Sequence, residues 1–279
     1  MDLSEKNLVT LMNVDGLLLM HLEDPTEVVS MAAVVNNPSA LAYVEYQTEA
    51  ICLIAVNEDG NTLGHVKDQN DKICIEAVKQ NGKALEYVKR QTDEICLEAV
   101  KQNGMVLRFV NNQTKEICIA AVRKDGWAVK HVKKQTDKIC IEAVKQNGNV
   151  LQCVDKQTEE ICLEAVKNGC GLHWVQHQTD KICLEAVKRS GFELRYVRNK
   201  TDTLCIVAVE EYGEALLEID DPSEEICLAA VRKDGMALRF IKDQTMDVCV
   251  TAIKSNRRAL KHIKDPEMKE ICKEYLRKR

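Results

Sequence analysis

No apolar run in this sequence approaches the roughly 18 residues that a membrane span needs. The first residues, Met1-Asp2-Leu3-Ser4-Glu5-Lys6, lack the basic start and clean apolar stretch of a secretory leader. The expected setting is therefore intracellular and reducing, without membrane contact. Two formal glycosylation sequons, Asn112-Gln113-Thr114 and Asn199-Lys200-Thr201, carry no weight in that setting. There is no Gly-rich phosphate loop, no nucleophile elbow and no His-Glu metalloprotease motif. No catalytic residue and no cofactor are expected on that basis. Only four prolines and 4% aromatics occur, and no low-complexity stretch or linker breaks the chain.

A 22-residue phrase fills the chain instead. Its clearest copy starts at Thr92 and runs Thr-Asp-Glu-Ile-Cys-Leu-Glu-Ala-Val-Lys-Gln-Asn-Gly to Gly104. Copies begin at Ser4, Thr26, Thr48, Asn70, Thr92, Thr114, Thr136, Thr158, Thr179, Thr201, Ser223 and Thr245, making twelve. A unit this short cannot bury a core alone, so neighbours must stack. The predicted fold is all-α: an α-solenoid of about twelve two-helix repeats plus a C-terminal capping helix. Residues 1–25 read as a degenerate N-terminal cap repeat, 26–267 as repeats and 268–279 as the cap helix, in one continuous array. A leucine-rich β-horseshoe would need a Leu-x-Leu-x-x-Asn signature, and none is present.

Within a repeat, a Thr or Ser followed by acids marks the start of a helix. Ile95, Cys96, Ala99 and Val100 then share one face. Asn103-Gly104 is expected to end that helix with glycine in the left-handed conformation. A second helix of about two turns follows, with Ala84, Leu85 and Val88 as its buried stripe in the unit before. The Asp-Pro pairs at 24–25, 221–222 and 265–266 are expected to put proline in a first helical turn. The recurring Glu76, Glu98, Glu142, Glu164 and Glu185 read as a solvated face of the first helix.

Eleven of the thirteen cysteines occupy one column of the repeat. Stacked helices lie about 8–10 Å apart, too far for a disulfide, so free buried thiols are expected rather than bridges or a metal site. Charge is unevenly spread: residues 1–60 carry one Lys and ten Asp or Glu, net −9, and residues 230–279 carry fourteen Lys or Arg and seven Asp or Glu, net +7. This asymmetry reads either as two soluble caps or as a basic docking end.

The phrase Glu-Ile-Cys-Leu-Glu-Ala-Val-Lys-Gln-Asn-Gly at residues 94–104 resembles the repeats of the family called domain of unknown function 4116, from about Thr26 to Arg279. That resemblance implies a helical repeat protein of giant amoeba-infecting DNA viruses, acting in an infected cell or virion. It supplies no catalytic residues and no partner.

Positions that vary within the repeat are free to serve binding. If the second helix is α-helical, the residue after glycine and those three, four and seven further on share a face. That face carries Met105, Arg108 and Phe109; Trp127, Lys130 and Lys134; His173, Trp174 and His177; Phe192 and Arg195; and Met236 and Arg239. The eighth repeat is one residue short and gathers Cys170, His173, Trp174 and His177. His173 and His177 stand four apart, but without a carboxylate or placed thiol they are not expected to hold a metal. The tenth breaks the trend with Glu214, Leu217 and Glu218. The leading expectation is a non-enzymatic scaffold for a protein or peptide partner, with Trp127, Trp174 and Phe192 as anchors. Rings interleaved with Arg and Lys also suit single-stranded RNA, against which the acidic net charge argues. Self-assembly, acidic end on basic end, is the third reading.

Overall fold

A computed structural model of the chain describes residues 4–277. Residues 1–3 and 278–279 lie outside the described residues, and with them the first residues of the leader reading and the end of the expected cap helix. Among the described residues thirteen α-helices alternate with twelve 3-10 helices, and no strand occurs. The chain divides into two compact units, Met1–Asp155 and Lys156–Arg279. In the first, α-helices from Glu5–Val14 to Asp137–Gln146 alternate with 3-10 helices from Gly16–His21 to Gly148–Cys153. In the second, α-helices from Glu159–Lys167 to Pro266–Arg277 alternate with 3-10 helices from Leu172–Trp174 to Arg257–His262. Each unit is an α-solenoid with one α-helix and one 3-10 helix per repeat.

The α-helix forms as its sequence directs. Thr114 caps Lys115–Lys124 by accepting from the Ile117 amide at 3.4 Å. Glu116 sits in the first turn, and Arg123 and Lys124 in the last, which suits the helix dipole. Ile117, Cys118, Ala121 and Val122 are buried. Ten residues are too few to hold a helix in water alone, so this face must find neighbours.

The second element corrects the expectation of an α-helix. In Gly104–Phe109 the bonds run from each amide to the carbonyl three residues back, as from Val106 to Asn103 and Val110 to Leu107, both at 3.1 Å. In so short a helix this tighter ladder closes bonds that a four-residue ladder would leave open. Asn103 makes the junction. Its backbone turns extended, ending the α-helix, and its side chain accepts from the Met105 amide at 3.0 Å to start the 3-10 helix.

Glycine at this junction is not a left-handed stop. Among the described residues only Gly169 has a positive φ, +95°, alongside Asp24 at 49°. Gly16, Gly60, Gly82, Gly104, Gly126, Gly191 and Gly235 serve close approach: a Cβ on Gly82 would sit 2.7 Å from the Ala99 carbonyl oxygen of the next repeat. Of the three Asp-Pro pairs, only Pro266 lies within a first turn. Pro25 and Pro222 stand just before the caps Thr26 and Ser223. The final helix accordingly starts at Pro266, two residues before its expected start.

Repeats are joined by side chains that the periodicity alone does not explain. Gln113 donates from Nε2 to the Leu107 carbonyl in its own repeat at 3.2 Å and to the His131 carbonyl in the next at 2.9 Å. Its Oε1 accepts from the Lys133 amide at 2.8 Å and from the Cys118 thiol at 3.9 Å. Gln69, Gln135, Gln178 and Gln244 repeat this arrangement. A second staple comes from the end of the α-helix, where Gln102 Oε1 accepts from the Gly82 amide of the previous repeat at 3.0 Å. A third is the basic residue just after the 3-10 helix. Lys89 donates to the carbonyls of Val66 and Lys67, and Arg198 to those of Val175 and Gln176.

The cysteine column lies under these staples. All thirteen thiols are free, and every one except half-buried Cys153 is buried. Burial pushes the thiols of Cys74, Cys96, Cys140, Cys162 and Cys249 up to about 11. They therefore stay protonated at neutral pH and donate weakly to the glutamine. The recurring glutamates are less solvated than expected: Glu76, Glu98 and Glu142 are half-buried and pair with Lys79, Lys101 and Arg123.

Candidate recognition face

What remains after the staples are assigned is the outer side of the 3-10 helices. With three residues per turn, positions three apart eclipse one another. Met105 therefore lies over Arg108, and Trp127 over Lys130. Phe109 and Lys134 do not share that line, and Lys134 falls beyond the helix Gly126–His131. The four-column face expected of an α-helix is thus replaced by a narrower edge plus a ring column.

In the first unit this edge is cationic. Arg108, Lys130 and Lys134 are exposed, and none has an ion pair among the described residues. Met105, Phe109 and Trp127 are half-buried beside them. The Arg108 guanidinium stands 4.6 Å from the centre of the Phe109 ring. His131 carries a buried Nε2 with no hydrogen-bond partner. Burial, then the charges of Lys130 and Arg108, hold its imidazole below the usual value.

The ring column packs along the stack. Tyr87 lies against the previous repeat at Gly64, where an added Cβ would meet its ring at 3.3 Å. In the second unit the His173 ring stands 5.0 Å from Trp174 and 5.1 Å from Tyr196, and Trp174 is 39% exposed. Phe192 is half-buried, 6.0 Å from Tyr212. Tyr196 stands in the same face column as Phe109 and Trp174, whereas Tyr212 stands at the cap position that holds Asn103 in the fifth repeat, so the face pattern did not point to it.

The second unit's arginines are already engaged. Arg195 pairs with Glu218 at 2.7 Å, and Arg239 pairs with Glu214 at 2.6 Å and lies 4.4 Å from the Phe240 ring. The tenth repeat's acids therefore neutralise the arginines of the repeats on either side. Met236 is half-buried on the same edge. Charge reversal at equivalent columns one repeat away was the available signal.

The eighth repeat differs from its expected form. Its α-helix ends at Lys167, Gly169 turns left-handed, and the Cys170 amide closes back on Ala165 at 2.9 Å. Cys170 is fully buried, not on the face, and burial pushes its thiol up to about 12. The 3-10 helix shrinks to Leu172–Trp174, so His177 lies outside it and the helical pairing of His173 with His177 does not form. Arg189 and Glu193 of the ninth repeat fill in, bonding the Cys170 carbonyl at 3.1 Å and the Leu172 amide at 2.9 Å. No group of three or more His, Cys, Asp or Glu arranged for a metal occurs among the described residues.

The staple position does not always hold glutamine: Pro25, Lys200, Pro222 and Pro266 stand there instead, and a surface cavity that includes Pro222 is lined by Leu216, Ile219, Cys227 and Ile241. No described helix is long and apolar enough to cross a membrane.

The family described as "Domain of unknown function (DUF4116)" matches the chain at residues 70–114, 92–136, 114–157 and 223–269. No curated protein matches it. The matches start at Asn70, Thr92, Thr114 and Ser223, which are the N-caps of four of the α-helices above. Over the matched residues this helical-repeat chain is similar to the DUF4116 family.

Proposed function

We propose that the chain is a non-enzymatic interaction scaffold that holds an acidic peptide or protein segment. The site is the outer edge of the 3-10 helices Gly104–Phe109 and Gly126–His131. One observation carries this reading: Arg108, Lys130 and Lys134 are exposed cations without acidic partners gathered beside half-buried Met105 and Trp127, whereas Arg195 and Arg239 in the column of Arg108 are paired with glutamates. Lys89 and Lys133 are bound to carbonyls. Trp127 and Met105, half-buried on the same edge, supply the apolar anchor typical of an interface hot spot. Carboxylates would add charge-assisted bonds around that anchor.

The ring faces favour a protein partner over single-stranded RNA. Base stacking needs open π-faces, and the guanidiniums of Arg108 and Arg239 lie over Phe109 and Phe240. The free thiols suit a reducing compartment, and the infected-cell setting implied by the family resemblance belongs to this proposal.

A random peptide display library selected on the full chain tests the reading. Selected peptides are expected to be rich in Asp and Glu and to lose binding on Trp127→Ala and Lys130→Glu, with the circular dichroism spectrum unchanged. Selection without acidic bias, or peptides indifferent to both substitutions, contradicts it.

A further inference from the structure

Gln113 bonds four residues: Leu107, His131, Lys133 and Cys118. Between the tenth and eleventh repeats its position is held by Pro222, and the four equivalent residues are Leu216, Phe240, Lys242 and Cys227. All four line one surface cavity of about 240 Å³. Where glutamine is present, it screens part of this set. The cavities beside Gln69, Gln113 and Gln244 are lined by the glutamine itself, but not by the leucine or ring residue whose carbonyl it holds.

Proline has no side-chain donor or acceptor, so the partners of the missing amide stay open. Neither the Phe240 carbonyl nor the Lys242 amide makes a hydrogen bond among the described residues. The Leu216 carbonyl accepts only from the Ile219 amide, at 3.2 Å, whereas the Leu107 carbonyl accepts from both Val110 and Gln113. The Cys227 thiol turns to the Pro222 carbonyl at 3.8 Å. One repeat earlier the chain supplies a substitute: Lys200 donates from Nζ to the Glu218 carbonyl at 2.6 Å. No side chain among the described residues does this for Phe240.

We infer that this cavity is a binding site for a primary carboxamide, the group that the repeat itself places there elsewhere. Its two N–H bonds match the Leu216 and Phe240 carbonyls, and its oxygen matches the Lys242 amide. A guanidinium or ammonium would set donor against donor at Lys242, and a carboxylate would set acceptors against both carbonyls. Exposed Asp220, Asp221 and Asp243 line the same cavity against one lysine, Lys242. The site therefore disfavours the acidic segment proposed above and is independent of the Trp127 edge. The carboxamide is either that of a free small molecule or the side chain of an Asn or Gln in a peptide.

Magnetic resonance of the full chain tests this. Labelling the carbonyl carbon of isoleucine and the nitrogen of lysine singles out three Ile-Lys amides, those of Lys242, Lys254 and Lys264. The other two are internal controls: Lys254 lies within an α-helix, and the Lys264 amide is already held by Gln244 at 2.9 Å. Propionamide is expected to shift the Lys242 signal saturably, with a millimolar dissociation constant, and to leave the other two in place. N,N-dimethylpropionamide, which lacks the donors, and methylguanidinium are expected to leave all three in place. Pro222→Gln, which supplies the amide from within, is expected to abolish the response, and Pro222→Ala, which leaves the cavity open, to keep it. A short Gln peptide without a terminal primary amide is expected to bind where its Glu counterpart does not. Tighter binding than propionamide marks a peptide-borne group, and weaker binding a free one. A Lys242 signal indifferent to propionamide, an equal response to the dimethylated amide or to methylguanidinium, or a response that persists in Pro222→Gln overturns the inference.

Discussion

The amide of Gln113 joins two repeats, its Nε2 lying 2.9 Å from the carbonyl oxygen of His131. The same side chain also serves Leu107, Lys133 and Cys118. One residue therefore satisfies the end of one 3-10 helix, the start of the following loop and the thiol beneath.

Removing that staple should loosen the stack. Gln113→Ala is expected to lower stability by about 2–3 kcal/mol, as several bonds are lost and their partners left half-buried. Gln113→Glu loses both donors and points a carboxylate at two carbonyl oxygens. It is expected to be at least as harmful at neutral pH and to recover partly in acid, where the protonated carboxyl donates once. Urea midpoints of the two variants at two pH values check this; an unchanged midpoint contradicts it.

Thiol reactivity reports the cysteine column. Cys153 is half-buried and the other twelve cysteines are buried. A disulfide reagent is expected to modify one thiol quickly in the native chain and the rest only on unfolding. Several fast thiols in native protein would contradict the packing.

The buried thiols also set an alkaline limit. In the folded chain five are raised to about 11, from an ordinary value of 9.0. Between these values the unfolded chain binds fewer protons than the folded one, so stability falls as pH rises. Below 9 both states keep the proton and the contribution is flat. Unfolding midpoints measured from pH 8 to 11 are expected to fall less steeply in a Cys96→Ala, Cys140→Ala variant. Equal slopes would show that these thiols ionise alike in both states.

Two glycines separate crowding from conformation. Gly82→Ala would press a methyl to 2.7 Å from the Ala99 carbonyl oxygen, costing about 1–3 kcal/mol or shifting the repeat. Gly169 has open space around it but a φ of +95°. Its cost on Gly169→Ala is about 1–2 kcal/mol, all of it backbone strain, and Gly169→Asn is expected to cost less. Equal costs for Asn and Ala at 169 would argue against the left-handed turn.

The α-helices were legible because Ile95, Cys96, Ala99 and Val100 recur at helical spacing and all prove buried. The second element was legible in place but not in kind. Ala84, Leu85 and Val88 are buried as expected, yet such a short pattern fits an α- or a 3-10 helix, and only the hydrogen-bond ladder decides. The role of Gln113 was not legible, because it depends on the His131 carbonyl and the Lys133 amide, eighteen and twenty residues away. Cys170 was misplaced because a one-residue deletion moved the chain into a different helix stop. Met105, Arg108, Trp127 and Lys130, which the proposed edge rests on, were picked out by their variable columns. Sequence columns did not show that Glu214 and Glu218 disarm Arg239 and Arg195.

The recognition edge is tested most directly by making Trp127 the sole tryptophan, with Trp174→Phe, and titrating an Asp/Glu-rich peptide while following indole emission. A saturable change is expected. Lys130→Glu is expected to weaken it about tenfold or more, whereas Lys115→Glu, an exposed lysine on the α-helix Lys115–Lys124, is expected to have little effect. No change in Trp127 emission on binding, or equal weakening by the two substitutions, would contradict the account.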